Sequence, residues 1–404
     1  MSIEPAPKAN RPGGPLREAN RLRVVDELRR HGTLSRADLA RLTGLSPTTM
    51  TALVGDLRAR GLVIEQAVRD GSEPAGRGRP PVLLRLDASA GGALGIDFGH
   101  RHLRVALADL SRTVLAERST ELDVDAAAKG SLDAAAAMVD EVLAEAGMDR
   151  SRIIGAGVGL PGPIDVRTGA VGSSVILPDW VGLRPAQELA RRLDVSIAVD
   201  NDANLGALGE VSFGAARGLS DILYVKVSSG IGAGLVLGGR LYHGAIGLAG
   251  ELGHVHVRDQ RAVCRCGNRG CLETVAATGA VLAALRPAHQ ADLTVRDAVA
   301  LVRAGDLGAQ RVITDAGRAI GRVLADHCNL LNPAAIVVGG DLSAAGRPLL
   351  DGLRESIDRY AQPAVAAAVA VLAGQLGERA EVLGALATII GDTERVRSAG
   401  LIDL

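Results

Sequence analysis

Three of the four cysteines in the chain fall within eight residues, Cys264-Arg-Cys266-Gly-Asn-Arg-Gly-Cys271, and no other stretch limits its own local fold so tightly. Gly267 and Gly270 between them allow the sharp turns that bring three thiolates to one face. Sulfur ligands joined by one imidazole favour zinc over hard-oxygen cations such as magnesium. Two histidines stand upstream as the fourth ligand, His254 and His256. Four protein ligands close the shell, so such an ion holds a loop and performs no hydrolysis. The competing readings are a chance cluster of reduced surface thiols, or a disulfide, which would suit an exported protein.

A chain of 404 residues is expected to form two or three domains. Aromatic residues make up only 1% of it, so its cores are expected to be built from Ala, Val, Leu and Ile. Lysine occurs only at positions 8, 129 and 226, which codon bias explains without appeal to function. No run reaches the length of a membrane span and the first 30 residues lack the apolar stretch of a signal peptide, so a cytoplasmic protein is expected, with no membrane partner. The net charge of −1 conceals an asymmetry: residues 1–90 hold 15 Lys and Arg against 10 Asp and Glu, and the remainder 30 against 36. A basic small region on an acidic large one points to nucleic acid at the first and a small ligand at the second.

Residues 1–15, with four prolines, read as a disordered arm, and residues 16–88 as a domain. Leu22, Val25 and Leu28 follow helical spacing up to Gly32. Ser35 with Asp38 forms a capping box for a second helix, with Leu34 and Leu39 as its staple. Thr43-Gly44-Leu45 is the turn, and Ser46 caps a third helix with Pro47 at its first position and Met50, Leu53, Val54 and Leu57 as its buried stripe. That is a helix-turn-helix. Its third helix offers Thr48, Thr49, Thr51 and Arg58 to double-stranded DNA, which suits entry into the major groove by the helix N-terminus. Two apolar runs, at 62–64 and 82–84, flank Gly76-Arg77-Gly78-Arg79-Pro80-Pro81, which reads as a wing whose Arg77 and Arg79 suit a narrow minor groove. The alternatives are a three-helix protein-interaction domain and, for the arginine run, a solvated linker.

Beyond residue 89 the pattern becomes that of an α/β domain. A three-strand meander begins at Ala93-Leu-Gly-Ile-Asp97-Phe-Gly99, a helix follows over about 132–143, and a strand over 153–160. The strand 197–199 delivers Asp200-Asn201-Asp202, and carboxylates at strand ends mark a crevice. The theme repeats with a strand at 222–227 leading into a turn, Gly230-x-Gly232-x-Gly234. Later segments read as a helix at 315–331, a strand at 335–338 and a closing helix at 379–390. Two similar lobes with a cleft between them are expected.

Asp97-Phe-Gly99, Asn201-Asp202, the Gly230/Gly232/Gly234 run, Glu251-x-x-His254 and Cys264-x-Cys266-x4-Cys271-Leu-Glu273 together resemble the ROK family of repressors and sugar kinases. The resemblance implies a winged helix-turn-helix followed by a two-lobed, actin-like (ribonuclease H-like) fold over 89–404. Lobe 1 would then span about 92–204 plus the closing helix, about 379–391, and lobe 2 about 205–378. By the same resemblance His254, Cys264, Cys266 and Cys271 hold the zinc, and Asn201, Asp202, Glu251, His254 and Glu273 bind a sugar. Asp202 would be the general base if the chain were a kinase; the competing reading is a helix N-cap.

Kinases of the family carry Asp-x-Gly-Gly-Thr at the first phosphate loop, where this chain reads Asp97-Phe98-Gly99-His100-Arg101. Asp97, Gly99, Gly230, Gly232 and Gly234 are therefore expected to be remnants of phosphate loops, with ATP and magnesium binding weakened. His100 and Arg101 could instead meet an acidic ligand or simply lie at the surface. The expected function is a DNA-binding regulator of carbohydrate genes, chiefly a repressor, that answers to a sugar or sugar phosphate. It is expected to act as a homodimer or homotetramer associated with the nucleoid. The alternative is an ATP-dependent hexose kinase, glucokinase-like, with a DNA-binding extension.

Overall fold

The computed structural model describes residues 15–66, 82–165, 169–172, 175–289, 292–392 and 395. The arm before Pro15 and the wing tip with Arg77 and Arg79 lie outside them.

The N-terminal region runs α1 (Pro15–His31), β1 (Leu34–Ser35), α2 (Arg36–Thr43), α3 (Pro47–Ala59), β2 (Val63–Gln66) and β3 (Leu83–Leu86). Local chemistry sets each boundary. The Ser35 hydroxyl accepts from the Asp38 N–H at 3.1 Å and donates to the Asp38 carboxylate at 2.7 Å, which starts α2. Gly44 ends α2 in the left-handed conformation at φ 69°, and Ser46 accepts from the Thr49 N–H to start α3. Met50, Leu53, Val54 and Leu57 are all buried; burial of such a side chain contributes about 1.5–3 kcal/mol. The antiparallel sheet has the order β1-β3-β2, so the strands flanking the wing pair with the strand that enters the helix-turn-helix.

The large region continues with β4 (Gly92–Gly99), β5 (His102–Asp109), β6 (Val114–Glu121), α4 (Ala128–Ala146), β7 (Ile153–Leu160), α5 (Pro185–Leu193), β8 (Ile197–Asn201) and α6 (Asp202–Phe213). The second lobe adds β9 (Ile222–Val227), β10 (Ile231–Leu237), β11 (Arg240–Leu241), α7 (Glu273–Ala276), α8 (Thr278–Leu285), α9 (Val295–Arg303) and α10 (Leu307–Leu331). It closes with β12 (Ala335–Gly339), α11 (Arg347–Tyr360), α12 (Pro363–Ala368), β13 (Ala370–Ala373) and α13 (Ala380–Gly391).

The two five-stranded sheets repeat one plan. In β6-β5-β4-β7-β8 and β11-β10-β9-β12-β13 alike, the first three strands are antiparallel and the last two join in parallel. The helices after the last strands cross over. α6 leaves the first sheet and packs on β9 and β10 of the second, whereas α13 leaves the second and packs on β4 and β7 of the first. α6 and α13 also pack on each other, and a side chain on Gly209 or Gly384 would strike the other helix's backbone. Glycine therefore lets the two helices approach at the seam between the lobes.

The helix-turn-helix is joined to lobe 1 by packing. Val25, Leu28 and Leu39 share one apolar cluster with Ala108 and Leu110 of lobe 1 and with Leu386 and Ile390 of α13. Arg29, buried on α1, donates from Nε to the Leu110 carbonyl at 3.3 Å. Burial lowers its pKa to about 10, with Arg112 acting the same way and Asp26 opposing.

Candidate functional site

His254, Cys264, Cys266 and Cys271 bring one ligand atom each into a group whose atoms all lie within 4.8 Å of one another. The Cys264 Sγ to His254 Nδ1 distance is 3.6 Å and the Cys266 to Cys271 Sγ distance is 3.7 Å. Zinc–sulfur and zinc–nitrogen bonds of about 2.3 and 2.0 Å place tetrahedral ligands roughly 3.5–3.8 Å apart. The spacings thus fit a four-coordinate ion. His256 is exposed and outside the group, bridging to Cys271 through its backbone. Gly267 and Gly270 adopt φ 92° and 70°, which the turns between the thiols require. Burial raises the thiols of Cys264 and Cys271, whereas the Asn268 N–H lowers Cys266. A bound cation would drive all three to thiolate.

The acids flanking this group differ in burial: Glu251 is exposed and Glu273 is buried. Glu273, at the start of α7, is buried and receives Arg265 Nη2 at 3.0 Å and the Cys264 thiol at 2.8 Å. Glu251 lies 3.6 Å from His254 Nε2. Its pKa is raised first by burial, with Asp202 and Glu273 adding and His254 opposing, so these acids converge on one region.

Asn201 and Asp202 sit where β8 runs into α6, and the N-cap there is Asn201. Asn201 Oδ1 accepts the Ala203 N–H at 2.9 Å and its Nδ2 donates to the Gly162 carbonyl at 3.1 Å, which leaves one donor and one acceptor for a ligand. Asp202 Oδ1 also accepts from Ala203, at 2.8 Å, and its Oδ2 receives Lys226 Nζ at 2.9 Å. Lys226, on β9, reaches Glu381 Oε1 on α13 at 2.9 Å as well. Burial opposes the ammonium charge, but Asp202, Glu381 and Asp97 outweigh it and raise the pKa well above the usual lysine value. Sequence reading passed over Lys226 and Glu381; the signal available was a charged residue inside an otherwise apolar strand, in a chain with three lysines.

The first loop is closed from within. Asp97 is buried at the end of β4, and its Oδ2 bonds His102 Nε2 at 2.8 Å across a tight β4–β5 turn. That hydrogen bond raises His102, against burial. Gly99 pairs with His102, whose ring fills the space where a side chain on Gly99 would stand. His100 turns aside to Asp125 at 2.8 Å, and Arg101 is exposed. The second loop requires a correction. Only Ser228–Gly230 makes the turn, since Gly232 and Gly234 belong to β10. A Cβ on Gly234 would meet the Ala203 carbonyl oxygen at 2.5 Å, so that glycine serves strand-to-helix packing.

A further cross-lobe contact joins His243, in the loop after β11, to Asp200 at the end of β8, at 2.7 Å. This hydrogen bond raises the His243 pKa against partial burial.

On the helix-turn-helix, Thr48 and Thr51 are exposed at the start of α3, while Thr49 bonds the Ser46 hydroxyl at 2.9 Å. Arg58, in the last turn of α3, pairs with Glu65 of β2 at 2.9 Å, a contact that competes with phosphate. Arg17 and Asn20 of α1 line a groove with Thr48 and Thr49 and add polar groups that sequence reading did not single out. Among the described residues no helix is long and apolar enough to cross a membrane.

Comparison with known proteins fits both regions. The ROK family profile matches residues 93–391 and the MarR family profile residues 18–72. The chain is 32% identical to the DNA-binding transcriptional repressor Mlc of Escherichia coli K12, with 90% of each chain covered. It is 30% identical to the dual regulator NagC of the same strain, covering 93% of this chain and 92% of that one. Among solved structures, a ROK family transcriptional regulator described as a homologue of Mlc superposes with a TM-score of 0.76 at 27% identity, covering 96% and 98% of the two chains. A ROK family glucokinase from Streptomyces griseus, in complex with glucose and AMPPNP, superposes at 0.62 and 28% identity over 73% of this chain and 98% of that one.

Proposed function

The chain belongs to the ROK family, and from that premise we propose that it is a sugar-responsive DNA-binding transcription regulator, acting chiefly as a repressor of carbohydrate genes. The observation that carries this is the union, in one chain, of a helix-turn-helix with an exposed reading helix and a cleft lined by acids beside a Cys3His group. Relatives named as repressors extend over both parts.

In this reading zinc occupies His254, Cys264, Cys266 and Cys271 and orders the wall that presents Glu251, His254 and Glu273. Asn201 and Asp202 complete a sugar site, where carboxylates accept hydroxyl protons and fix the orientation of the ring. A sugar that binds one lobe arrangement better than another shifts their populations. The shared core and the Arg29–Leu110 bond give that shift a route to α1. Thr48 and Thr51 read the major groove, with Thr49 and Arg58 as supporting contacts and Arg77 and Arg79 reaching the minor groove. Two copies present paired reading helices to two half-sites in the cytoplasm.

Absence of kinase turnover is part of the proposal, because the His102 ring fills the first loop against Asp97 and Gly99. Fluorescence anisotropy of the full chain on DNA upstream of its own gene tests the regulator reading. Binding that weakens steeply with salt and changes at least tenfold with one sugar supports it. Hexose-dependent ADP production at ordinary kinase rates supports the glucokinase-like alternative instead.

A further inference from the structure

Three carboxylates from three elements surround Lys226 at the seam between the lobes: Asp202 at the start of α6 and Glu381 on α13 touch it, and Asp97 near the end of β4, bonded to His102, acts on it electrostatically. Acids in so confined a place require a cation, since uncompensated charge is costly to bury. The chain supplies one itself. Lys226 Nζ lies 2.9 Å from Asp202 Oδ2 and 2.9 Å from Glu381 Oε1, and its side chain keeps 18% of its accessible surface. Asp97 Oδ1 is buried with no hydrogen-bond partner among the described residues.

We infer that Lys226 is an internal counter-cation standing where a divalent ion would otherwise bind, holding the three acids together and closing the cleft to a metal-bound nucleotide. The choice of residue supports this. The chain has 45 Lys and Arg, of which three are lysines. Arginine is a planar fork, whereas an ammonium is a compact point charge with three donors, and so is the nearer analogue of a small cation. Phosphoryl transfer depends on a divalent ion that arrives with the nucleotide. A tethered ammonium neither arrives nor leaves, so the acids stay assembled for recognition while the ion cannot load. The inference deepens the regulator reading and rests on it in treating the cleft as a recognition site.

The test uses full-length, zinc-loaded protein and Mn²⁺ as the probe, with free Mn²⁺ followed by electron paramagnetic resonance. Lys226→Gln is expected to take up one Mn²⁺ per chain at least tenfold more tightly than the wild type. Lys226→Arg, which keeps a cation in place, is expected to match the wild type. If Lys226→Gln does not fold, Lys226→Met, which keeps the length of the side chain without its charge and leaves all three acids in place, is read instead with the same tenfold expectation. Equal Mn²⁺ affinity in the wild type and the folded Gln variant overturns the inference. Because the readout is metal uptake, the inference can fail while sugar-dependent DNA binding stands, and DNA binding can fail while Mn²⁺ uptake rises as expected.

Discussion

Two walls of the cleft contrast: the segment from Glu251 to Glu273, and the group of side chains around Asp202 at the N-terminus of α6. The wall from Glu251 to Glu273 gathers four ligand atoms within 4.8 Å of one another and sets Glu251 and Glu273 beside them. The second wall, around Asp97, Asp202 and Glu381, is filled by the chain's own side chains: His102 on Asp97, and Lys226 on Asp202 and Glu381. Under the proposed reading, the difference teaches how a fold shared with kinases can keep recognition and give up transfer. Recognition needs fixed polar groups, which an ion can organise, whereas transfer needs room for a phosphate chain and its cation.

The largest expected effect falls on the first wall. Cys266→Ser is expected to lose the metal and lower sugar affinity about 10- to 100-fold, the range found when groups that organise such sites are altered. Metal analysis and calorimetry check it; zinc lost with sugar binding intact would break the comparison, because the ion would then organise nothing. Glu251→Gln sharpens it. The metal content is expected to stay while sugar affinity falls about tenfold, the worth of one hydrogen bond to a charged group. Full affinity in this variant would move the sugar away from that wall.

On the second wall, His102→Gln is expected to leave sugar affinity within about twofold and to act on stability instead. The His102 pKa is raised in the folded chain by Asp97, so its contribution is fully present below the unfolded histidine value, about 6.5, and is lost as pH rises through the raised folded value. The side chain is 37% exposed, so solvent screening holds the effect to about 0.5 kcal/mol. Urea unfolding at pH 5.5 and pH 9 checks it, with the variant less stable than the wild type only at the lower pH. The smallest effect belongs to the cross-lobe pair of His243 and Asp200. His243→Gln is expected to change sugar affinity by about twofold or less at pH 6 and not at all at pH 9, because the bond strengthens with the imidazolium.

Much of the fold is legible because its signals are local. Ser35, Gly44 and Ser46 announce the helix boundaries of the helix-turn-helix, and the apolar runs at 153–160 and 222–227 are strands from end to end. The helix read at 315–331 begins instead at Leu307, where Asp306 accepts from the Ala309 N–H; the buried Ala309 and Ile313 carry the apolar face of Ala316 and Ile320 back through these turns, a period that the sequence reading cut short. β1 has two residues and no sequence signal; its pairing with β3 alone makes it a strand. Within the site, the Cys264–Cys271 spacing speaks for itself because its ligands are neighbours in sequence. Gly232 and Gly234 read as a turn, since glycine spacing is the same whether a chain must bend or must admit a helix, and packing against α6 decides. Lys226 and Glu381 stand 155 positions apart, as their numbers show, and only the crossing of α6 and α13 brings their charges together.

The most direct measurement places the full chain on its upstream DNA, titrates sugar in the presence of ATP and magnesium, and follows anisotropy and ADP together. The account predicts that one sugar changes DNA affinity at least tenfold, equally with and without ATP, while no ADP forms. Steady hexose-dependent ADP release, with DNA affinity indifferent to the sugar, would contradict it.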